Sequence, residues 1–217
     1  MSSTKEKLLA SAADTVRQLG IGATSARSIA DRADVNQALI FYHFGTVSAL
    51  IEEACNQAVD EAVSRYQVAF AKVTSLAELL QVGRELHDYE RAVGNVAMMA
   101  QLMSNAGHDE TITRAARYAM DRWSTEIETV VIRVMKGSPL SGFVDGAGLG
   151  RALAASFIGI ELYDGVDPSG SAAALASLER LGMLVDVVNE LGPVARSALR
   201  AKVKSIKAAS SKRGPLV

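Results

Sequence analysis

Chemistry that needs a metal or a nucleophile has few residues to work with in this chain. Its single cysteine, Cys55, excludes an internal disulfide framework and a cysteine-rich zinc site, and reads either as a small core residue or as a redox sensor. His43, His87 and His108 are far apart in sequence, so a metal site would need a convergence in space that nothing in their spacing announces. No metal and no cofactor are expected. The stretch GAGLG at 146–150 has the glycine density of a dinucleotide loop, but no strand precedes it and its third glycine is misplaced; it reads as the start of a helix. There is no Gly-x-Ser-x-Gly elbow and no His-Glu-x-x-His, and His87 and Asp88 are neighbours without a nucleophile in view. An enzyme is not expected. Hydrogen-bonding chemistry is better supplied: the segment 24–46 collects hydroxyls, amides, an arginine and a histidine around two short apolar-periodic stretches.

The elements that must position those groups all read as helices. Apolar residues recur at three- and four-residue spacing and sustained alternation of period two is absent, so the fold class is all-α. Ser3 and Glu6 form a capping box for a first helix with Leu8, Leu9, Ala12, Val16 and Leu19 on one face and Gly20 as its stop. Thr24 or Ser25 caps a second helix, Asp34 and Val35 make a tight connection, and Asn36 caps a third, QALIFYHF. Thr46 caps a fourth, starting near Ser48 and running to about Ala71. Ser75 and Glu78 begin a long fifth helix that carries Leu79, Leu80, Leu86, Met98, Met99, Leu102 and Met103, with Gly94 as a kink and Asn105 to Gly107 as its end. Helical spacing then runs from Asp109 to Lys136, a turn cluster GSPLSG follows, and helices over about 147–162 and 172–191 precede a shorter basic one after Gly192-Pro193. The tail SSKRGPLV at 210–217 is expected to be disordered.

Helices of about nine and seven residues joined by a three-residue turn are the dimensions of a DNA-binding helix-turn-helix, whose second helix enters the major groove. The residues around that turn say more. TSARSIADRADVNQALIFYHFGTVSALIEEA resembles the signature of the TetR family of transcriptional regulators, in which an Ile-Ala pair, a turn with Val, an aromatic, a His-Phe pair and a Leu recur at this spacing. The resemblance covers about residues 4–55, and the remainder agrees only in length and in being helical.

The resemblance implies roles. Ile29, Ala30, Val35, Ile40 and Phe44 form the small core that fixes the angle between the two helices. Arg27, on the polar face of the second helix, meets a guanine edge or a phosphate, or is simply solvated. Gln37, Ala38 and Leu39 occupy the first turn of the recognition helix: Gln37 can pair with adenine, and Ala38 and Leu39 can touch a thymine methyl. Thr24, Ser25, Asn36, Tyr42, His43 and Thr46 can donate to phosphates, joined by the backbone donors after Thr46; His43 can equally pack against the core. Phe41 and Tyr42 stand where the family has Tyr and its successor, which displaces the usual phosphate hydroxyl by one residue. Val47 stands where a Lys is frequent and Asp34 where a turn Gly is usual. Each lost phosphate contact lowers the salt slope by about 0.9, so weaker non-specific DNA binding than usual is expected.

Charge is segregated. Residues 1–50 hold five basic and four acidic side chains, a net of +1, whereas 193–217 hold seven basic and none acidic. The first figure is low for a DNA-binding head. The division implied is a head over 1–51, an effector-binding and dimerisation domain over 52–209, and the tail. Candidate cavity walls are His87, Met98, Met99, Leu102, Met103, Trp123, Ile127, Phe157 and Tyr163, each of which reads alternatively as ordinary core; Tyr89 and Asn95 share the long helix with His87 as possible polar contacts. The helices over 147–162 and 172–191, rich in small and aliphatic residues, read as core or as the surface that pairs two chains. The implied partners are operator DNA, a small-molecule effector and a second copy, with release from DNA when the ligand changes a head spacing of roughly 34–36 Å. The alternative is a helical binding module that keeps the head without operator recognition. No run approaches the roughly 18 apolar residues of a membrane span, no secretory signal opens the chain, and the cytoplasm is the expected location.

Overall fold

Most helix starts in this chain are set by side chains that satisfy free amides of the first turn. The computed structural model describes residues 3–142 and 144–211, without the side chains of 161 and 209–211. Ser3 and Glu6 close a reciprocal capping box on α1 (Thr4–Leu19), which Gly20 ends at φ 76°, a backbone region that glycine enters without penalty. Ser25 and Ser28 do the same for α2 (Ala26–Ala33). Asp34, at φ 52° the one described non-glycine residue with positive φ, turns the chain toward α3 (Ala38–Phe44). Asn36 caps α3 as an Asx turn, its Oδ1 accepting from the Ala38 amide at 2.8 Å. Thr46 opens α4 (Val47–Lys72), Ser75 opens α5 (Leu76–Ala92) and Asp109 opens α7 (Glu110–Met135). Between them lies α6 (Asn95–Asn105), and α8 (Gly146–Asp164), α9 (Pro168–Asn189) and α10 (Pro193–Ser211) follow. The described residues contain no strand, and the fold is all-α as the periodicity predicts.

Three expectations need correction. The fifth helix is not one kinked rod: Val93 leaves helical geometry and Gly94 takes φ 82°, so α5 and α6 are separate helices. Leu19 does not share the buried face of α1 and is half exposed, because Gly20 ends the helix before a neighbour covers it. The basic helix is not short, since α10 holds 19 residues. Gly146 to Gly150 form the first turn of α8, and Ser210 and Ser211 belong to α10; the rest of the expected disordered tail lies outside the described residues.

The head core comprises Leu8, Leu9, Ala12, Ile29, Ala30, Ile40 and Leu50, with Val35 and Phe44 partly buried against it. A junction core follows, in which Val16 of α1 meets Ile51 and Cys55 of α4, Met98 and Leu102 of α6, and Ile112 and Ala115 of α7. Position 51 lies within α4, so that helix runs unbroken from head to body. The body core of Phe70, Leu79, Leu80, Ile127, Val131 and Leu153 joins α4, α5, α7 and α8. Close approach there depends on missing side chains: a Cβ at Gly150 would meet the Glu128 backbone at 3.0 Å and one at Gly182 the Ala77 backbone at 3.2 Å. Among the described residues no helix is long and apolar enough to cross a membrane.

Two polar links tie α7 to the head end of α4. Asp109 Oδ2 accepts from Ser48 Oγ at 2.8 Å, and Arg114 grips Glu52 with two bonds of 3.0 and 2.8 Å. The Ser48 hydroxyl and the Ile112 and Thr111 amides hold the Asp109 carboxyl below the usual range. A depressed carboxyl stabilises the fold at pH values above its unfolded pKa and loses that effect as pH falls through the folded value. We therefore expect Asp109→Ala to cost about 1 kcal/mol at pH 7. The gap to the parent protein should close below about pH 4, which urea titrations at several pH values would read.

Cys55 is 1% exposed, and burial pushes its thiol up to about 12 against the pull of the Arg17 charge. Only about one thiol in 10⁴ would ionise at pH 8, so alkylation of the native protein by iodoacetamide should be roughly 10³-fold slower than that of a free cysteine. Alkylation at the free-cysteine rate would place Cys55 outside the core.

Candidate nucleic-acid interface and ligand cavity

The short helix α3 divides its side chains sharply. Ile40 is fully buried and Leu39 and Phe44 are half-buried in the head core, while Gln37, Ala38, Phe41, Tyr42 and His43 face solvent. Phe41 is 51% and Tyr42 81% exposed, large aromatic surface that a folded domain normally covers. His43 is not in the core; its ring lies edge-on to Tyr42 at 4.9 Å and to Phe44 at 6.1 Å. Leu39 is turned partly inward and offers less to a groove than Gln37 and Ala38 do.

The groups flanking α3 are mostly occupied locally. Thr24 Oγ1 donates to the Gly20 carbonyl at 2.7 Å, Ser25 is held in its capping box, and Thr46 Oγ1 accepts from the Ala49 amide at 3.0 Å. Arg27 is exposed on α2 with Asp31 one turn on at 3.7 Å. Lys5 stands over the Phe44 ring at 5.4 Å and pairs with Glu53 at 2.7 Å. Each of these two head cations thus has a carboxylate beside it, which keeps the local field weak.

The body holds a cavity of about 110 Å³ between α4, α5, α6, α7 and α8. Of the residues singled out in the sequence, His87, Met98, Met99, Trp123, Ile127 and Phe157 line it, as does Asn95. Four others lie elsewhere. Leu102 is fully buried in the junction core, and Met103 packs between that core and the Val59–Val63 cluster. Tyr163 is half exposed near the end of α8 with its hydroxyl donating to Asp167, and Tyr89 is likewise exposed. Gly83 permits the cavity's shape: a Cβ there would lie 2.4 Å from Phe157 Cζ.

The sequence reading missed Glu90, a cavity residue only 3% exposed. The signal was present, because Leu79, Leu80, Gly83, Leu86 and His87 mark an inward stripe on α5 and Glu90 falls three residues after His87 on that stripe. Its carboxylate accepts from Arg65 Nη1 at 2.5 Å and from the Asn95 amide.

A third feature is a stripe of uncovered apolar residues. On α8 it comprises Ala152, Ala155, Gly159 and Leu162, continued by Val166 beyond the helix; on α9 it comprises Leu181, Met183, Leu184 and Val187, each 55–60% exposed. These helices therefore serve both the core, through Leu153, Ala154 and Leu175, and an outer surface.

Residues 8–54 match the sequence model described as bacterial regulatory proteins, tetR family. No curated protein matches the chain in sequence. Solved structures of similar shape include a proposed TetR-family transcriptional regulator from Rhodococcus sp., at 21% identity and TM-score 0.70, covering 88% of this chain and 100% of that one. A proposed transcriptional regulator from Streptomyces coelicolor A3(2) has 22% identity and TM-score 0.64, covering 83% and 99% respectively. A proposed transcriptional regulator from Saccharomonospora viridis, in complex with choline, has 18% identity and TM-score 0.66, covering 83% and 95%. Residues 8–54 carry the tetR family's sequence pattern, and the whole chain is similar in its all-helical fold to these solved regulators.

Proposed function

We propose that the chain is a ligand-responsive repressor that binds palindromic operator DNA as a homodimer and is released by a small, largely apolar molecule. The observation that carries this reading is the outward face of α3, where Gln37, Ala38, Phe41, Tyr42 and His43 stand free of the core. In it, Gln37 and Ala38 read base edges, with Leu39 as a marginal contact. Arg27, Asn36, Tyr42, His43 and the α4 start at Thr46 hold the backbone, while Thr24 and Ser25 fix the approach of α2. Residues 1–51 act as the reading head and 52–209 as the effector and pairing domain. The stripe on α8 and α9 pairs two chains, since apolar side chains so exposed are the usual mark of a subunit surface. Release follows if the ligand favours a head spacing that no longer matches successive major grooves.

The cavity is the effector site in this reading. Its walls are apolar with a few polar groups at one end, the usual make-up of a small-molecule site, and the Saccharomonospora viridis neighbour holds a small molecule in the same fold. A second reading, a helical binding module that has kept the head without operator recognition, draws on the carboxylates beside Lys5 and Arg27.

Titrating the protein against DNA from immediately upstream of its own gene separates the two. With four to six phosphate contacts, affinity should fall about 10²- to 10³-fold between 50 and 200 mM salt, and a scrambled duplex should bind far more weakly. Equal binding to both duplexes, or none to either, favours the binding module.

A further inference from the structure

A run of side chains joins the cavity wall to the first helix of the head. Glu90 Oε1 accepts from Arg65 at 2.5 Å, and that arginine is 42% exposed with its guanidinium over the Tyr89 ring at 5.0 Å. That charge meets Glu90 at Oε1. Glu90 Oε2 accepts from a neutral donor, the Asn95 side-chain amide. Asn95 in turn accepts at Oδ1 from Arg17 Nε of α1 at 2.8 Å, and Arg17 also pairs with Asp14 at 2.8 Å. The run crosses the break between α5 and α6, where the Arg17 stem lies so close to Gly94 that a Cβ there would be 3.4 Å from it.

Resting on the reading of the cavity as an effector site, we propose that it selects an apolar molecule bearing a protonated amine, and that Asn95 reports the occupancy of Glu90 to Arg17. A buried carboxylate prefers a cationic donor to a neutral one, because charge-assisted hydrogen bonds are roughly twice as strong. An ammonium entering from the cavity takes Oε2 and displaces the Asn95 amide. That amide must then turn to another acceptor, and in turning it withdraws Oδ1 from Arg17, so that α1 loses this polar tie to α6 while their apolar contact through Val16 remains. The remaining walls, Met98, Met99, Met120, Trp123 and Phe157, suit a single aromatic ring: a cavity of about 150 Å³ takes benzene, and methionine side chains yield readily.

The test uses benzylamine, protonated at neutral pH, and benzyl alcohol, its neutral counterpart of the same size, on the full chain without DNA. Calorimetry should show benzylamine binding at least tenfold more tightly than benzyl alcohol. In Glu90→Gln, confirmed folded by its melting curve, that preference should shrink to threefold or less. Benzylamine should also shift the Arg17 Nε–H resonance of the parent protein, identified by its loss in Arg17→Lys, while benzyl alcohol should not. Asn95→Ala, which keeps Glu90, should bind benzylamine with no Arg17 shift. Equal binding of the two probes overturns the amine preference and leaves the effector site standing, whereas binding of neither overturns both. Preferred amine binding without an Arg17 shift overturns the relay. DNA takes no part, so a failure of operator binding cannot be mistaken for any of these results.

Discussion

Changing Gln37 and Tyr42 together to alanine is expected to weaken binding to a selected operator by about 2–5 kcal/mol, roughly 30- to 5,000-fold. One lost base contact accounts for about 1–3 kcal/mol and the lost phosphate donor for the remainder. Neither side chain belongs to the head core: Tyr42 is 81% exposed and Gln37 stands at the solvent side of the first turn of α3. Substitutions of that kind usually move stability by no more than about 0.5 kcal/mol, so the melting temperature should be nearly unchanged. Fluorescence anisotropy beside a thermal melt reads both quantities. An unchanged affinity would mean that DNA, if bound, is met by another surface.

Placing a charge in the uncovered stripe should have an effect of similar size by a different route. In Leu184→Asp the carboxylate would enter an apolar contact between two copies, where an unpaired charge is strongly unfavourable. Light scattering should then report the mass of one chain, 22.9 kDa, instead of two. Operator affinity should fall by about 10²- to 10⁴-fold, because a second head held nearby raises its local concentration and a separated one does not. Leu184 is 60% exposed in the single chain, so the fold should survive the change. A variant that stays paired would move the contact to another face.

What sequence could convey here follows from which interactions are local. Caps are local, and Ser3, Thr46, Ser75 and Asp109 stand where the helices begin. The helix-turn-helix core is nearly so, since Ile29, Ala30 and Ile40 lie within a dozen residues of one another and their spacing suffices to turn them inward. The α5–α6 break was harder to read. Gly94 alone permits a kink or a stop, and the Arg17 stem packed beside it comes from 77 residues away.

The cavity shows the same limit. Met98 and Leu102 lie one turn apart on the same face of α6 and both pack into the junction core, yet only Met98 also lines the cavity, a difference of position along α6 that their spacing does not show. Glu90 does not read as buried from sequence, because charged residues are rarely buried without partners and its partners, Arg65 and Asn95, lie on other helices. The apolar runs of α8 and α9 left core and interface equally open. Burial divides their residues without showing what the outer ones meet: Leu153, Ala154 and Leu175 face in, and Leu181, Leu184 and Val187 face out.

On the proposed function, α3 presents its free side to DNA, once from each of two identical chains. Selection of bound fragments from a random duplex pool tests it most directly. The expected product is a palindrome whose half-sites lie about 10–10.5 base pairs apart, or a multiple of that, and whose enrichment disappears when Gln37 and Tyr42 are both alanine. A pool that emerges without enrichment, or an asymmetric site that the double variant enriches equally well, would contradict it.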